Sequence, residues 1–227
     1  MKTQTPELSV SLPFANRTQA GRLLASELTF CQSRPDIIVL GLPRGGLPVA
    51  YEIARYLEAP LDVVLVRKLG VPGQKELAFG AVAMGGVRVL DSGIIGQFQL
   101  TPRQIEGIAA EELEILESRN QLYRRGRPAP RIHERTVIVA DDGIATGSTM
   151  RAAVQALRQQ EPSHIVVAAP VASVDAAHML RRDADDVVCL AQPEPFYAVG
   201  YWYRDFSQIS DDEVRWFLEK AAKAPAA

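Results

Sequence analysis

The chain has 227 residues, 47% hydrophobic and 23% charged, and its 25 Lys and Arg against 27 Asp and Glu give a formal net charge of −2. That balance lacks the electrostatic footprint of a nucleic-acid binder. No apolar run reaches the roughly 18 to 20 residues needed to span a bilayer, so no membrane partner is expected. The first twenty residues, interrupted by Pro6, Pro13 and Asn16, hold no signal-peptide core, which points to the cytoplasm. Cys31 and Cys189 lie far apart and outside any Cys-x-x-Cys or Cys/His cluster, so both read as buried, reduced thiols.

Short β-branched runs alternate with segments of helical period. Ile37 to Leu40 is the first run, and Gly41-Leu42-Pro43-Arg44-Gly45-Gly46 follows as a tight turn. Val49, Ile53 and Leu57, four apart, predict a helix behind that turn. Val63 to Val66 is the second run, followed by Arg67-Lys68 and a stretch punctuated by Gly70, Pro72 and Gly73, a candidate lid or a solvated hairpin loop. Thr101-Pro102 reads as a helix N-cap with proline at the first position, and Ile105, Ala109, Leu113 and Leu116 continue its apolar face. The arginine-rich stretch from Glu117 to Arg135 reads as a solvated helix end and loop.

Val137 to Val139 is the third run, and Asp141-Asp142-Gly143-Ile144-Ala145-Thr146-Gly147-Ser148-Thr149 follows it. A strand thus delivers two adjacent carboxylates, and a small-residue loop runs into the helix marked by Met150, Val154 and Leu157. Loop N–H groups, the hydroxyls of Thr146, Ser148 and Thr149, and the positive helix end would converge on a phosphate. The alternative is an ordinary strand-to-helix turn capped by Asp142, but a cap needs neither two acids nor three following hydroxyls. No Lys follows Gly147 and no Gly-x-Gly-x-x-Gly occurs, which argues against a Walker loop or a dinucleotide fold.

Ile165 to Val167 and Val187-Val188 are the last two runs. Eight of the fifteen aromatic residues then fall between Phe196 and Phe217. Ser210 to Glu213 is a capping box opening a helix that buries Val214, Phe217 and Leu218. The alternation predicts an α/β fold with a doubly wound, mostly parallel sheet, whose ligands sit outside the carboxyl ends of the strands. His133, His164 and His178 show no triad or metal-ligand spacing.

The stretch from Val137 to Thr149 resembles the phosphoribosyl pyrophosphate (PRPP) motif of the type I phosphoribosyltransferases. Within that family the chain looks closest to a bacterial group sharing an Arg-Gly-Gly loop, Asp-Asp-Gly-Ile-Ala-Thr-Gly and a C-terminal aromatic segment. The likeness implies one domain over residues 1–227, with a core at about 33–191 and a small hood from about 1–20 and 192–227. It implies that Asp141 and Asp142 bind the ribose hydroxyls, that Ala145, Thr146, Gly147, Ser148 and Thr149 wrap the 5′-phosphate, and that Pro43, Arg44, Gly45 and Gly46 hold the diphosphate across a cis Pro43-Arg44 peptide.

By the same likeness Arg67 and Lys68 neutralise departing pyrophosphate, and Lys75 and Glu76 close from the lid. Phe196 or Tyr197 could stack on a planar base, with a hydrophobic subcore as the alternative for most of the aromatics and for Trp216 and Phe217 in particular. Gly143, where many relatives carry an aliphatic residue, is expected to loosen the loop. The implied protein is a homodimeric transferase that uses Mg2+ with PRPP and moves ribose 5-phosphate to a nitrogenous base. The alternative is a regulatory protein that binds PRPP without catalysis.

Overall fold

The computed structural model describes residues 11–223, apart from positions 33 and 35 and the side chains of Lys75 and Glu76. Its strands are β1 (Ile37–Gly41), β2 (Leu61–Val63), β3 (Val66–Val71), β4 (Gln74–Ala83), β5 (Arg88–Leu90), β6 (Thr136–Ala140), β7 (His164–Val171) and β8 (Asp186–Ala191). The helices are α1 (Arg17–Ser26), α2 (Gly46–Leu57), α3 (Ser92–Gln97), α4 (Pro102–Arg124), α5 (Ser148–Arg158), α6 (Val174–Leu180) and α7 (Asp211–Lys223). Among the described residues no helix is long and apolar enough to cross a membrane.

Five strands in the order β2-β1-β6-β7-β8 form a parallel sheet with helices on both faces, the expected α/β architecture. Every residue of β1 and β6 is buried because both faces are covered. The two-residue pleat divides them. Ile37, Val39, Ile138, Ala140, Val166 and Ala168 pack on α1 and α2, whereas Ile38, Leu40, Val137, Val139, Ile165 and Val167 pack on α5 and α6.

The run from Val63 to Val66 is not one strand. Val63 ends β2, Val64 still donates to the Gly41 carbonyl, and Val66 opens a separate antiparallel sheet of β3, β4 and β5. The side chains explain the departure: Val63 and Leu65 turn into a third cluster with Phe79, Val82, Leu116 and Tyr123, where this small sheet packs on α4 and α7. Pro72-Gly73 is the hairpin turn between β3 and β4, with Gly73 at φ 79°, the backbone a glycine supplies without strain.

The predicted caps form. Thr101 and Gln104 make the α4 capping box around Pro102, and Ser210 and Glu213 exchange hydrogen bonds ahead of α7. The arginine-rich stretch is only partly solvated. Arg124 is buried, donating to Asp62 and the Val63 carbonyl, and Arg135 donates to the carbonyls of Asp36 and Ile37. Trp216 also departs from expectation: it is 51% exposed on α7, where Lys220 lies over its ring, while Phe217 packs on Tyr51 and the third cluster. Cys31 is buried and Cys189 partly so, and burial pushes the Cys189 thiol up to about 11.

Candidate functional site

Gly41 of β1 sits opposite Ala140 of β6, so the turn after one strand and the acid pair after the other leave the sheet side by side. Leu42 N–H donates to the Ala140 carbonyl at 2.9 Å, and Pro43-Arg44 is a cis peptide, as the resemblance implied. The turn then passes so close to the acids that it has no room for side chains. A Cβ on Gly45 would collide with Asp142 Oδ2, and one on Gly46 would lie 2.6 Å from the Ala140 oxygen and 2.9 Å from Asp141 Cα. These glycines serve close approach of backbone rather than flexibility.

The loop beyond the acids is pinned to the next strand. Ile144 and Ala172 form a bridge, and Ser173 Oγ donates to the Ala145 carbonyl at 2.6 Å. Ala145, Thr146 and Thr149 are exposed, and Thr146 Oγ1 lies 3.2 Å from Ser148 Oγ. Gly147 stands at φ 74° just ahead of α5, where a Cβ would also meet Met179 Cε at 2.6 Å. The first N–H groups of α5 therefore open beside a row of hydroxyls, an arrangement suited to an anion.

The acid pair is unequal. Asp141 is pushed well above the usual carboxylate range by burial and then by the neighbouring Asp142 charge, while the N–H of Asp142 donates to Asp141 Oδ1 at 2.9 Å. Burial raises Asp142 as well, but the Arg17 guanidinium opposes it: Nε donates to Asp142 Oδ2 at 2.7 Å. Arg17 Nη1 also donates to the Ser207 carbonyl at 2.7 Å, and its Cζ stands 3.9 Å from the centre of the Phe206 ring. Tyr203 adds a hydrogen bond from its hydroxyl to the Asp142 carbonyl.

The cations expected at the carboxyl end of a strand lie inside β3 of the antiparallel sheet, because the chain leaves the parallel sheet after Val64, before reaching them. Arg67 Nε donates to Glu112 of α4 at 2.5 Å. Lys68 lines two cavities, one of 430 Å3 shared with Arg67, Glu112 and Thr149 and one of 520 Å3 shared with Ser148, Arg151 and Asp91. The cations and the hydroxyl loop thus face common space. Lys75 belongs to the backbone of β4, and its side chain, like that of Glu76, lies outside the described residues.

The two aromatic candidates part company. Phe196 is half-buried beside Trp202 at a ring separation of 6.1 Å, in a subcore with Phe14 and Tyr203. Tyr197 is 72% exposed and pairs with the equally open Tyr201. Gly143 has a packing role: a Cβ there would collide with Val199 Cγ1, so the missing side chain makes room for the segment after β8. Sequence reasoning placed Arg17 and Tyr203 in the two hood segments and missed their contacts with Asp142. The signal available for Arg17 was its position, three and seven residues before the buried Ala20 and Leu24 on the inward face of α1.

An acid pair, a glycine turn and a hydroxyl-rich helix entry at the carboxyl edge of a parallel sheet define an α/β protein with a site whose geometry is suited to an anion. The family model for the phosphoribosyl transferase domain matches residues 15–201, and the chain belongs to that family. Proteins from two strains of Mycobacterium tuberculosis, both named "Putative phosphoribosyl transferase", are 46% identical to it over 208 residues. Those alignments cover 92% of this chain and 47% of theirs, so the chain spans about half the length of these curated relatives. The crystal structure of TT1426 from Thermus thermophilus is 42% identical with a TM-score of 0.85, covering 92% of this chain and 99% of that one.

Proposed function

We propose that this protein transfers ribose 5-phosphate from PRPP to a nitrogenous base and releases pyrophosphate. The observation that carries the reading is the contact of Gly45 with the Asp142 carboxylate, which joins the turn suited to a diphosphate to the acids suited to a ribose. The hydroxyl loop follows the acids directly, so a phosphate, a sugar and a diphosphate could be held in that order along one sheet edge.

In this mechanism the N–H groups and hydroxyls of Ala145 to Thr149 cradle the 5′-phosphate, and Asp141 and Asp142 accept hydrogen bonds from the ribose hydroxyls. The amides of Pro43 to Gly46 that are not spent in the turn face the diphosphate; Pro43 itself has none to give. Lys68 offsets charge on the leaving group, and Arg67 joins it on exchanging Glu112 for pyrophosphate. The C1–oxygen bond of PRPP breaks as positive charge builds on the ring, and a C1–nitrogen bond forms on the opposite face. PRPP enters as its Mg2+ complex. Magnesium takes few protein ligands, so the ion would be carried by substrate oxygens and water. The family likeness makes Lys75 a further closing contact, and the segments around Phe14 and Tyr197 form a hood that reads the base.

The test is incubation with PRPP, Mg2+ and a pool of purine and pyrimidine bases, followed by mass spectrometry for a base-linked ribose 5-phosphate. Product is expected from the wild type and none from the variant carrying both Asp141→Asn and Asp142→Asn; wild-type rates in that variant would sink the proposal. Saturable Mg-PRPP binding without product from any acceptor would instead favour a PRPP-binding regulator.

A further inference from the structure

Arg17 enters α1 at its first turn, next to the Asn16 cap, yet only 7% of it is exposed. It joins segments far apart in the chain. Phe14 N–H donates to the Trp202 carbonyl, while Arg204 N–H and Asp205 N–H donate to the carbonyls of Phe14 and Ala15, so the start of α1 lies along the segment after β8. Phe206 is stacked on Tyr203 at 5.2 Å and 29°, and Arg17 covers its ring. Both ends of this stack reach one residue, Arg17 through the carboxylate of Asp142 and Tyr203 through its carbonyl.

We propose that Arg17 is a positioning residue of the acid pair: it fixes the Asp142 carboxylate against Gly45 and ties it to the segment after β8 through Ser207. This inference rests on the phosphoribosyl transfer reading of the site. A buried ion pair is seldom better for stability than well-packed apolar side chains. Here the guanidinium meets a carboxylate that has a second carboxylate beside it, where one of the two would otherwise keep a proton. Arg17 opposes the burial that raises Asp142, so within the pair it favours the charge on Asp142 over Asp141. Among the described residues, Asp141 and Tyr203 feel the Asp142 charge, and Asp205 and Glu213 feel that of Arg17.

The sign of the effect is definite. Arg17 favours the ionised form of Asp142, so its removal makes the carboxyl hold its proton to higher pH. Carbon-13 NMR of labelled aspartate in the ligand-free protein follows this directly, and calorimetry of Mg-PRPP binding against pH follows its consequence. In Arg17→Met the Asp142 midpoint is expected to rise by about 1 to 3 pH units, and the acid limb of PRPP binding to move with it. Arg17→Lys, which keeps the charge but loses the planar fork, should restore most of the midpoint without the Ser207 tether, and it carries the test if the Met variant does not fold.

In an Asp142→Asn background, Arg17→Met should add little further loss of PRPP affinity. An Asp142 midpoint unmoved in Arg17→Met, or a loss of affinity undiminished in the Asn background, would overturn the role of Arg17. Wild-type protein that binds no Mg-PRPP while the midpoint still shifts would overturn the reading of the site instead.

Discussion

Along β1 and β6 the site is built from backbone: Gly45 and Gly46 lie against Asp142, Asp141 and the Ala140 carbonyl with no space for a methyl group between them. On the facing β3 it is built from long side chains, where Arg67 reaches Glu112 across 2.5 Å with both groups partly exposed. The first region holds one geometry because any shift meets backbone. The second can re-form around a ligand, since a partly exposed ion pair gives up little when exchanged. On the proposed transferase reading, groups that must be set before the substrate arrives would lie on the parallel sheet, and groups that follow the departing charge on the antiparallel one.

The sharpest way to break this contrast is Gly46→Ala. Its Cβ would meet backbone atoms at 2.6 and 2.9 Å, neither of which can swing aside. Overpacking of this kind costs about 1 to 3 kcal/mol, and the upper end is expected here. Thermal unfolding should record that loss together with a loss of PRPP binding. Gly73→Ala in the β3–β4 turn is the matching control: it has nothing within 4 Å and suffers only its φ of 79°. It should cost about 1 kcal/mol and leave PRPP binding intact. Equal effects from the two substitutions would erase the contrast.

Asp141→Asn separates stability from function within the rigid region. The carboxyl of Asp141 is raised by burial and by Asp142, so the folded state holds its proton more tightly than the unfolded chain does. Ionisation therefore costs stability, and the cost grows as pH rises from the ordinary value of 3.8 through the raised one. The amide carries no such cost. Its melting temperature should exceed that of the wild type at neutral pH, and the advantage should fade as pH falls toward 3.8, while turnover is lost. A pH-independent difference in melting temperature would show that the Asp141 charge is not what the fold works against.

The rigid region was also the legible one. Asp141 to Thr149 are contiguous, so strand, acids, loop and helix could be read in order, and β1, β6 and β7 announced themselves as apolar runs buried on both faces. The antiparallel sheet was hidden. Val63 to Val66 carry no polar residue where the chain changes sheets, and the glycines and Pro72 of β3 and β4 resemble loop punctuation as much as hairpin. Arg17 was hidden for a different reason: its partner Asp142 lies 125 residues away, and no local pattern encodes a contact at that distance.

Glu112→Gln probes the adaptable side and should do least. It removes the charge that holds Arg67 while keeping a hydrogen-bond acceptor of the same shape, and the pair is partly exposed at 34% and 23% of its side chains. Discounted for solvent screening, the loss of folding stability should be under about 1 kcal/mol. The kinetic consequence runs the other way. Arg67 no longer has to leave a carboxylate to meet pyrophosphate, so product inhibition by pyrophosphate should strengthen by a few fold while the KM for the base stays unchanged. If pyrophosphate inhibition is unaltered in Glu112→Gln and in Arg67→Met alike, Arg67 is a brace between β3 and α4, and the leaving-group charge is met by Lys68 without it.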